Sequence, residues 1–389
     1  TNGKGSVCAM TSSILQENGY IVGLFVSPHL QRFSERIKIN NQEISKKDVT
    51  KLTEEIKSVC SSLTEDNHPT FFEVITAMAF LHFKRNNVDF AIMEVGLGGR
   101  LDSTNVTTPL VSVITNVTKD HMHVLGNSVL DIAKEKAGII KENSTLITSE
   151  TKPEILSLFE KICEEKNTTI RNINNIKFEK RRSSLDGQSF YVNTGLGEYS
   201  ATIKLLGDHQ ITNSLISITI AEFLRKDFNI SKKAIEIGLS KAELSGRLEV
   251  INKNPLIIFD SAHNEDSIEK LAKTLRSEEF KHDKTILILA ISQRKDIERI
   301  VKTITSLADT VIITKHDVMD RSAEQGEIKK HIESTKNVII KKDMKSALEE
   351  AKSLAGKNDM ILVTGSIYAV GNAMDVWFDK KPEGLRLGM

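Results

Sequence analysis

The sequence predicts an α/β protein of two domains, a larger one on a mostly parallel sheet and a smaller one of the same class behind it. Two observations predict it. Apolar runs of strand length alternate with helical patterns, the arrangement that βα units feeding a parallel sheet produce. The chain has 389 residues, beyond the roughly 250–300 at which single hydrophobic cores stop growing.

Residues 21–27, 90–96, 110–117 and 144–149 read as buried strands, each closing on polar or glycine residues. In doubly wound sheets ligands bind outside the carboxyl ends of strands, so the residues that close these runs are the candidates for chemistry. Residues 187–205 read as a hairpin turning at Thr194-Gly195-Leu196-Gly197, and 209–226 as a helix. The pattern restarts after Leu244-Ser245-Gly246-Arg247-Leu248-Glu249, with strands near 256–260, 285–292, 310–315, 337–341 and 359–364. The expected domains are therefore 1–245 and 246–379, joined by a short hinge, with 380–389 as a tail or linker.

Apolar residues at 39% and charged residues at 27% describe a soluble globular protein with ample core material. A net charge of +1 gives no electrostatic footprint for nucleic acid or an anionic membrane, so neither is an expected partner. Cys8, Cys60 and Cys163 are too few and scattered for a disulfide framework or a zinc site, which fits a reducing compartment and a cytoplasmic location. No segment approaches the roughly 20 apolar residues of a membrane span. The opening Thr1-Asn2-Gly3-Lys4 is not a signal peptide.

The chemistry begins at Thr1-Asn2-Gly3-Lys4-Gly5-Ser6, ahead of an apolar helical stretch. A glycine-rich turn feeding a helix N-terminus points N–H groups at a phosphate, and a lysine there adds a point charge for the terminal phosphates. Gly5 stands where the common form has the Ser or Thr that holds magnesium, so a second hydroxyl is needed. Ser27, in Ser27-Pro28-His29-Leu30 at a strand end, is placed to supply it. The alternative is a glycine turn that opens a helix with no nucleotide.

Glu94 closes another apolar strand, ahead of Val95-Gly96-Leu97-Gly98-Gly99-Arg100-Leu101-Asp102-Ser103. A carboxylate there is costly to bury unless it is paired or metal-bound, which makes Glu94 a magnesium ligand candidate; the alternative is a strand-end glutamate that faces solvent. Arg100 and Asp102 can equally form a structural ion pair. A third strand end carries Asp120-His121-Met122-His123. The spacing of its histidines is not that of a zinc pair, so one of them is a single metal or phosphate contact or a structural residue. Lys134-Glu135-Lys136-Ala137-Gly138 reads locally as a helix end, with lysines on the dipole and a glycine cap.

Taken together, these motifs resemble folylpolyglutamate synthase/dihydrofolate synthase of the Mur ligase superfamily. The resemblance runs in the family's order through 1–6, 27–30, 94–102, Asp120-His121, 135–139, Gly246-Arg247-Leu248-Glu249 and Asp260-Ser261-Ala262-His263-Asn264. It implies a P-loop-type ATPase domain followed by a smaller Rossmann-like domain. It also implies a reaction in which ATP phosphorylates a pteroate or folate carboxylate and the amine of L-glutamate displaces phosphate to form an amide.

Such a site gathers cations and N–H donors against developing negative charge. The resemblance places Asn2, Gly3, Lys4, Gly5, Ser6, Gln210, Asn213, Arg247 and Asp260 on the nucleotide. The resemblance likewise implies that Ser27, Glu94, His121 and a carbamylated Lys136 hold two magnesium ions and that Lys4, Lys136 and His263 lie at the reacting phosphates. Arg32, Thr70, Phe71, Asp102 and Ser103 are implied by the same resemblance to line the pteroate site, where an aromatic face suits a flat heterocycle. Core packing competes for at least one of Phe71 and Phe72. The resemblance further implies a monomer whose domains close on ATP, and a phosphate loop whose leading glycine precedes Thr1. Three other readings are a Mur-type ligase acting on a non-folate acid, a nucleotide-binding protein without catalysis, and a structural protein with a vestigial fold.

Overall fold

The computed structural model describes residues 1–293, 295–318 and 321–380, and its strands form four sheets. In the first, β1 (Val22–Phe25) pairs parallel with β4 (Phe90–Met93) and antiparallel with β2 (Ile37–Ile39), which carries β3 (Gln42–Glu43) at the edge. The second is parallel throughout, in the order β5 (Val111–Ile114), β6 (Thr145–Thr148), β7 (Thr169–Asn172). The third is an antiparallel meander of β8 (Phe178–Ser184), β9 (Gly187–Asn193) and β10 (Glu198–Ile203).

The fourth sheet comprises β11 (Glu249–Lys253), β12 (Leu256–Phe259), β13 (Thr285–Leu289), β14 (Thr310–Ile313), β15 (Asn337–Ile340) and β16 (Met360–Thr364), in the order β11-β12-β16-β13-β14-β15. Its pairings are parallel except the β11–β12 hairpin. Every residue of β12, β13 and β16 is buried, which is why these strands read as unbroken apolar runs: a parallel sheet is covered on both faces. By contrast β10, Glu-Tyr-Ser-Ala-Thr-Ile, alternates exposed and buried along its length and wets one face.

Helix Asp208–Phe228 is buried on most of its circumference. Ile211, Leu215 and Ile218 share one core with Val7, Met10 and Ile14 of helix Lys4–Glu17 and with Phe190 and Tyr199 of the meander. On its other flank helix Lys4–Glu17 meets helix Lys232–Lys241 so closely that a Cβ on Gly238 would lie 2.5 Å from Ile14 Cα. The helix that carries the phosphate loop is thereby fixed from both sides.

The α/β class with parallel sheets stands, and the differences lie in detail. The single mostly parallel sheet expected of the first part is paired as two sheets, with β2 and β3 antiparallel at one edge. Asn40 and Asn41 make that hairpin, at φ of 48° and 65°, the left-handed pair that a two-residue turn needs and that asparagine tolerates. Strands β7, β8 and β11 were not expected, because Thr-Ile-Arg-Asn and Phe-Glu-Lys-Arg-Arg-Ser-Ser lack a buried apolar run. The expected tail lies outside the described residues after Lys380. Among the described residues no helix is long and apolar enough to cross a membrane.

Candidate active site

Gly3 caps helix Lys4–Glu17 at φ 88°, ψ −7°, with no side-chain cap bond, so the first helical N–H groups are left for an acceptor outside the helix. A Cβ at this position would sit 2.5 Å from Asn213 Oδ1, which demands glycine twice over. The loop is tied to the segment after β5. Thr118 N donates to Thr1 Oγ1 at 2.9 Å, Asn2 N to Asn116 Oδ1 at 3.1 Å, and Thr115 Oγ1 to the Asn2 carbonyl at 2.7 Å. Lys4 Nζ turns back to the Thr1 carbonyl at 3.3 Å, and Ser6 is buried.

Glu94 follows β4 and is buried. Ser27 N donates to its Oε2 at 2.9 Å, and its Oε1 lies 3.7 Å from where a Gly5 Cβ would stand. The carboxylate thus faces the phosphate loop. Burial pushes its pKa up, while Lys4, the Ser27 N–H, Arg247 and Arg36 oppose the rise. Among the described residues no cation stands within salt-bridge distance of it. The Ser27 hydroxyl beside it is buried and has no hydrogen-bond partner among the described residues. An unneutralised carboxylate and an unpartnered hydroxyl together are an oxygen donor set for a hard cation.

Lys136 occupies the last turn of helix Val129–Ala137. Burial brings its pKa down to about 8, the charge of Lys4 acting in the same direction and Asp120 and Asp102 against it. Burial raises the pKa of Asp120, but Lys295, His263 and His121 outweigh it and hold this carboxyl well below the usual carboxylate range. His121, at φ 51°, has Nε2 3.8 Å from Asp120 Oδ1. Lys4 therefore acts on both Glu94 and Lys136, and Asp120 on both Lys136 and His121, which links the three expected metal-side residues through two charges. Among the described residues no three His, Cys, Asp or Glu side chains gather as a metal cluster; an ion held here needs the Ser27 hydroxyl, a modified lysine or the substrate's own oxygens.

The fourth sheet supplies the facing wall. His263 Nδ1 bonds the Ser261 carbonyl at 2.9 Å and Nε2 lies 3.9 Å from Asp120 Oδ2; burial first, then Lys295, lowers its pKa to about 4. Arg247 is half-buried and acts on Glu94, Asp260 and His263. Among the described residues its guanidinium makes no hydrogen bond or ion pair, so its donors are available to an anion. Asp260 spends its oxygens on backbone, accepting from Leu248 N at 2.7 Å and Ala262 N at 2.8 Å. That pair of bonds holds the Arg247 loop against the His263 loop. Gln210 and Asn213 are buried beneath the phosphate loop, Asn213 Nδ2 donating to Gln210 Oε1 at 2.9 Å.

The residues expected on the pteroate side divide into two groups. Phe71 is 38% exposed, with Phe33 edge-on at 6.4 Å and the Arg36 guanidinium 5.6 Å from its ring centroid. Phe72 packs inward: a Cβ on Gly96 would meet its ring at 2.5 Å, so the core takes Phe72 and the surface keeps Phe71. Thr70 caps helix Phe71–Arg85 in a capping box with Glu73. Arg32 Nη2 pairs with Glu43 at 2.8 Å. Asp102 accepts from Leu97 N at 2.8 Å and Thr104 N at 3.0 Å and opens the turn Ser103–Val106. Arg100 pairs with Glu135 at 3.1 Å, which removes the Arg100–Asp102 alternative.

Residues the sequence did not single out close the joint. Leu30 is buried in the fourth-sheet core with Phe259 and Val370, and Gln31 Nε2 donates to Asp375 Oδ1 at 2.7 Å. Arg36 is 1% exposed and donates Nε to His29 Nδ1 at 2.7 Å. Lys295, past the end of β13, was within reach of the strand-end rule but sits in no motif.

The chain matches the Mur ligase middle domain over residues 1–221 and the Mur ligase glutamate ligase domain over residues 246–367. A dihydrofolate synthase/folylpolyglutamate synthase of Bacillus subtilis is 36% identical over 382 residues, covering 96% of this chain and 87% of the relative. Mycobacterium tuberculosis folylpolyglutamate synthase complexed with ADP and AMPPCP superimposes with a TM-score of 0.89 at 28% identity, over 98% of this chain and 90% of that one. E. coli FolC in complex with DHPP and ADP gives 0.86 at 28% identity, over 97% and 87%.

Proposed function

The chain belongs to the folylpolyglutamate synthase/dihydrofolate synthase family of Mur ligases, and from that premise we propose that it is an ATP-dependent ligase joining L-glutamate to the carboxylate of dihydropteroate, of a tetrahydrofolyl polyglutamate, or of both. ATP phosphorylates the acceptor carboxylate. The glutamate amine then attacks the acyl carbon and phosphate leaves, giving an amide, ADP and phosphate. The observation that carries the reading is the set of groups around Glu94: a buried carboxylate with no cation within salt-bridge distance and a Ser27 hydroxyl with no hydrogen-bond partner, both among the described residues, and a glycine-capped helix N-terminus with Lys4 on it.

Ser27 and Glu94 fit one magnesium ion, with Ser6 as a further hydroxyl on the same helix end. His121 and Lys136 are assigned to the second. A bare ammonium is repelled by a dication, whereas its carbamate is negative and can ligate one. A lysine whose pKa is brought down to about 8 also presents more of the neutral amine that carbon dioxide requires. Bound magnesium would neutralise phosphate charge. The chain's own residues do the rest: the loop amides and Lys4 orient the phosphates, Arg247 and His263 approach them from the facing wall, and Phe71 offers its ring to the pterin. Since both walls of the cleft come from one chain, we take the working unit to be a monomer, and the three scattered cysteines support a reducing, cytoplasmic location.

The test is direct. The protein is incubated with ATP, magnesium, L-glutamate and either dihydropteroate or tetrahydrofolate, and the product mass is read for one added glutamyl residue. ATP consumption with neither acceptor gaining a glutamyl residue would sink the reading.

A further inference from the structure

Where the second and fourth sheets meet, Lys295 Nζ lies 2.7 Å from Asp120 Oδ1, with the two side chains only 16% and 10% exposed. The other carboxylate oxygen receives Asn264 Nδ2 at 3.1 Å. Asn264 also exchanges amide hydrogen bonds with Asn2 of the phosphate loop, at 3.2 and 3.1 Å, and Asn2 Nδ2 reaches Asp266 Oδ2 at 2.6 Å. One polar network therefore ties the phosphate loop, the loop after β5 and two loops at the carboxyl ends of β12 and β13.

Its position separates it from the other ion pairs of the molecule. Exposed pairs such as Lys302–Glu298 and Lys161–Glu165 contribute little and sit anywhere on a surface. A pair this enclosed costs desolvation, and removing one member leaves the other charge buried and alone. Asp120 directly precedes His121, acts on Lys136 and faces His263. Asn264 follows His263 and caps helix Glu265–Leu275. A shift of Lys295 relative to Asp120 therefore displaces candidate groups from both walls at once.

We infer that Lys295 is a positioning residue: through Asp120 it sets the loop bearing His263 and Asn264 in register with the phosphate loop. The inference rests on the ligase reading above. Its mechanical consequence is that loss of the pair loosens the joint where the acyl phosphate is made. Water then takes the acyl group, returning the free carboxylate and releasing phosphate, so ATP is spent without amide.

The experiment uses the full chain and four variants: Lys295→Met, Lys295→Arg, Asp120→Asn and the double Asp120→Asn/Lys295→Met. Amide formed per ADP released is measured beside kcat and KM for glutamate. Lys295→Met is expected to lower kcat/KM for glutamate by about tenfold or more and to bring the amide-to-ADP ratio below that of the parent, while Lys295→Arg stays within about threefold. Asp120→Asn should behave like Lys295→Met, and the double variant no worse than either single, because the two act as one unit.

The inference is overturned if Lys295→Met keeps parental coupling and kinetics, if Asp120→Asn is harmless while Lys295→Met is not, or if the two effects multiply. The second pattern would make Lys295 a direct substrate contact. Should Lys295→Met fail to fold, Asp120→Asn, which keeps the shape and an acceptor for Lys295, carries the test alone. A parent protein that makes no glutamyl amide refutes the ligase reading; a competent parent matched by its variants refutes only the role of Lys295.

Discussion

At the ends of β1 and β4 the polar groups are buried and incompletely satisfied, whereas at the end of β12 they are buried and closed by backbone. Ser27 Oγ has no partner and Glu94 has no cation within salt-bridge distance among the described residues. Asp260 by contrast accepts two backbone N–H bonds, and His263 Nδ1 is satisfied by Ser261. Buried groups left unsatisfied cost a protein stability, so their retention marks where a ligand is meant to complete them. Closed groups mark a scaffold that holds its loops in place. The difference assigns the handling of a metal to the ends of β1 and β4 and register to the Asp260 turn after β12, beside which Arg247 still offers its donors to an anion.

The sharpest way to break that division is Glu94→Gln. The amide keeps an acceptor for the Ser27 N–H and removes a charge that burial disfavours, so the metal-free protein should melt no lower than the parent. Ligation should fall by about a thousandfold, the order expected when a metal ligand facing developing charge is lost. Glutamyl transfer and a thermal melt, read together, decide it; a large loss of stability would place Glu94 with the scaffold.

The converse substitution belongs to the fourth sheet. Leu289→Ala, in the fully buried β13, should cost about 3 kcal/mol of unfolding free energy by denaturant titration, while kcat of the folded fraction holds within about twofold. A collapse of kcat at full folding would mean that the two walls are not separable.

How far the sequence announced this division depends on the kind of signal. Ser27, Glu94 and His121 were legible as candidates because each follows an apolar run, and a polar residue in that place has a geometric reason to be there. Gly3 was legible from its place in a glycine turn, though not the Asn213 side chain that makes it obligatory. Lys295 follows the expected strand 285–292 and so met the same rule, but no motif marks it and nothing in the sequence names its partner, which is 175 residues away. Arg36 was missed for the same reason: nothing local says that an arginine near two short strands will be buried against His29 and Phe71. Thr70-Phe71-Phe72-Glu73 carries the S/T-x-x-E signature of a capping box, a local signal that the structure builds as a cap. The pairing of the first seven strands into two sheets was beyond reach, because register depends on neighbours that the chain order does not name.

Gly3→Ala tests the tightest point of the first wall. The added Cβ would stand 2.5 Å from Asn213 Oδ1 at a φ of +88°, so strain and overlap should together cost about 2 kcal/mol in a denaturant titration. ATP affinity should weaken in parallel. Ser27→Ala is milder and more selective: its hydroxyl has no internal partner to lose, so the melting curve should stay in place while the magnesium concentration for half-maximal rate rises about tenfold. A fall in melting temperature at unchanged magnesium demand would show that the hydroxyl serves the fold.

The smallest effect sharpens the comparison at the seam between the two walls. His209 opens helix Asp208–Phe228 beside Gly207, whose missing Cβ leaves room for both the imidazole and Thr274 Oγ1. Burial, with Lys270 and Arg247 in the same direction and Asp266 and Asp208 against, lowers its pKa to about 4, below the roughly 6.5 of an unfolded chain. Between those values the unfolded state binds the extra proton, so stability is complete above the unfolded value and declines as pH falls toward the folded one. His263 adds a slope of the same sign but is common to parent and variant. The difference between the parent and His209→Gln should therefore isolate one histidine, as about 1 kcal/mol of stability lost by the parent alone from pH 7 to pH 4, discounted because the residue is not fully buried. Parallel curves for the two proteins would mean that water reaches this imidazole in the folded state and that the seam is looser than the ion pair at Asp120 implies.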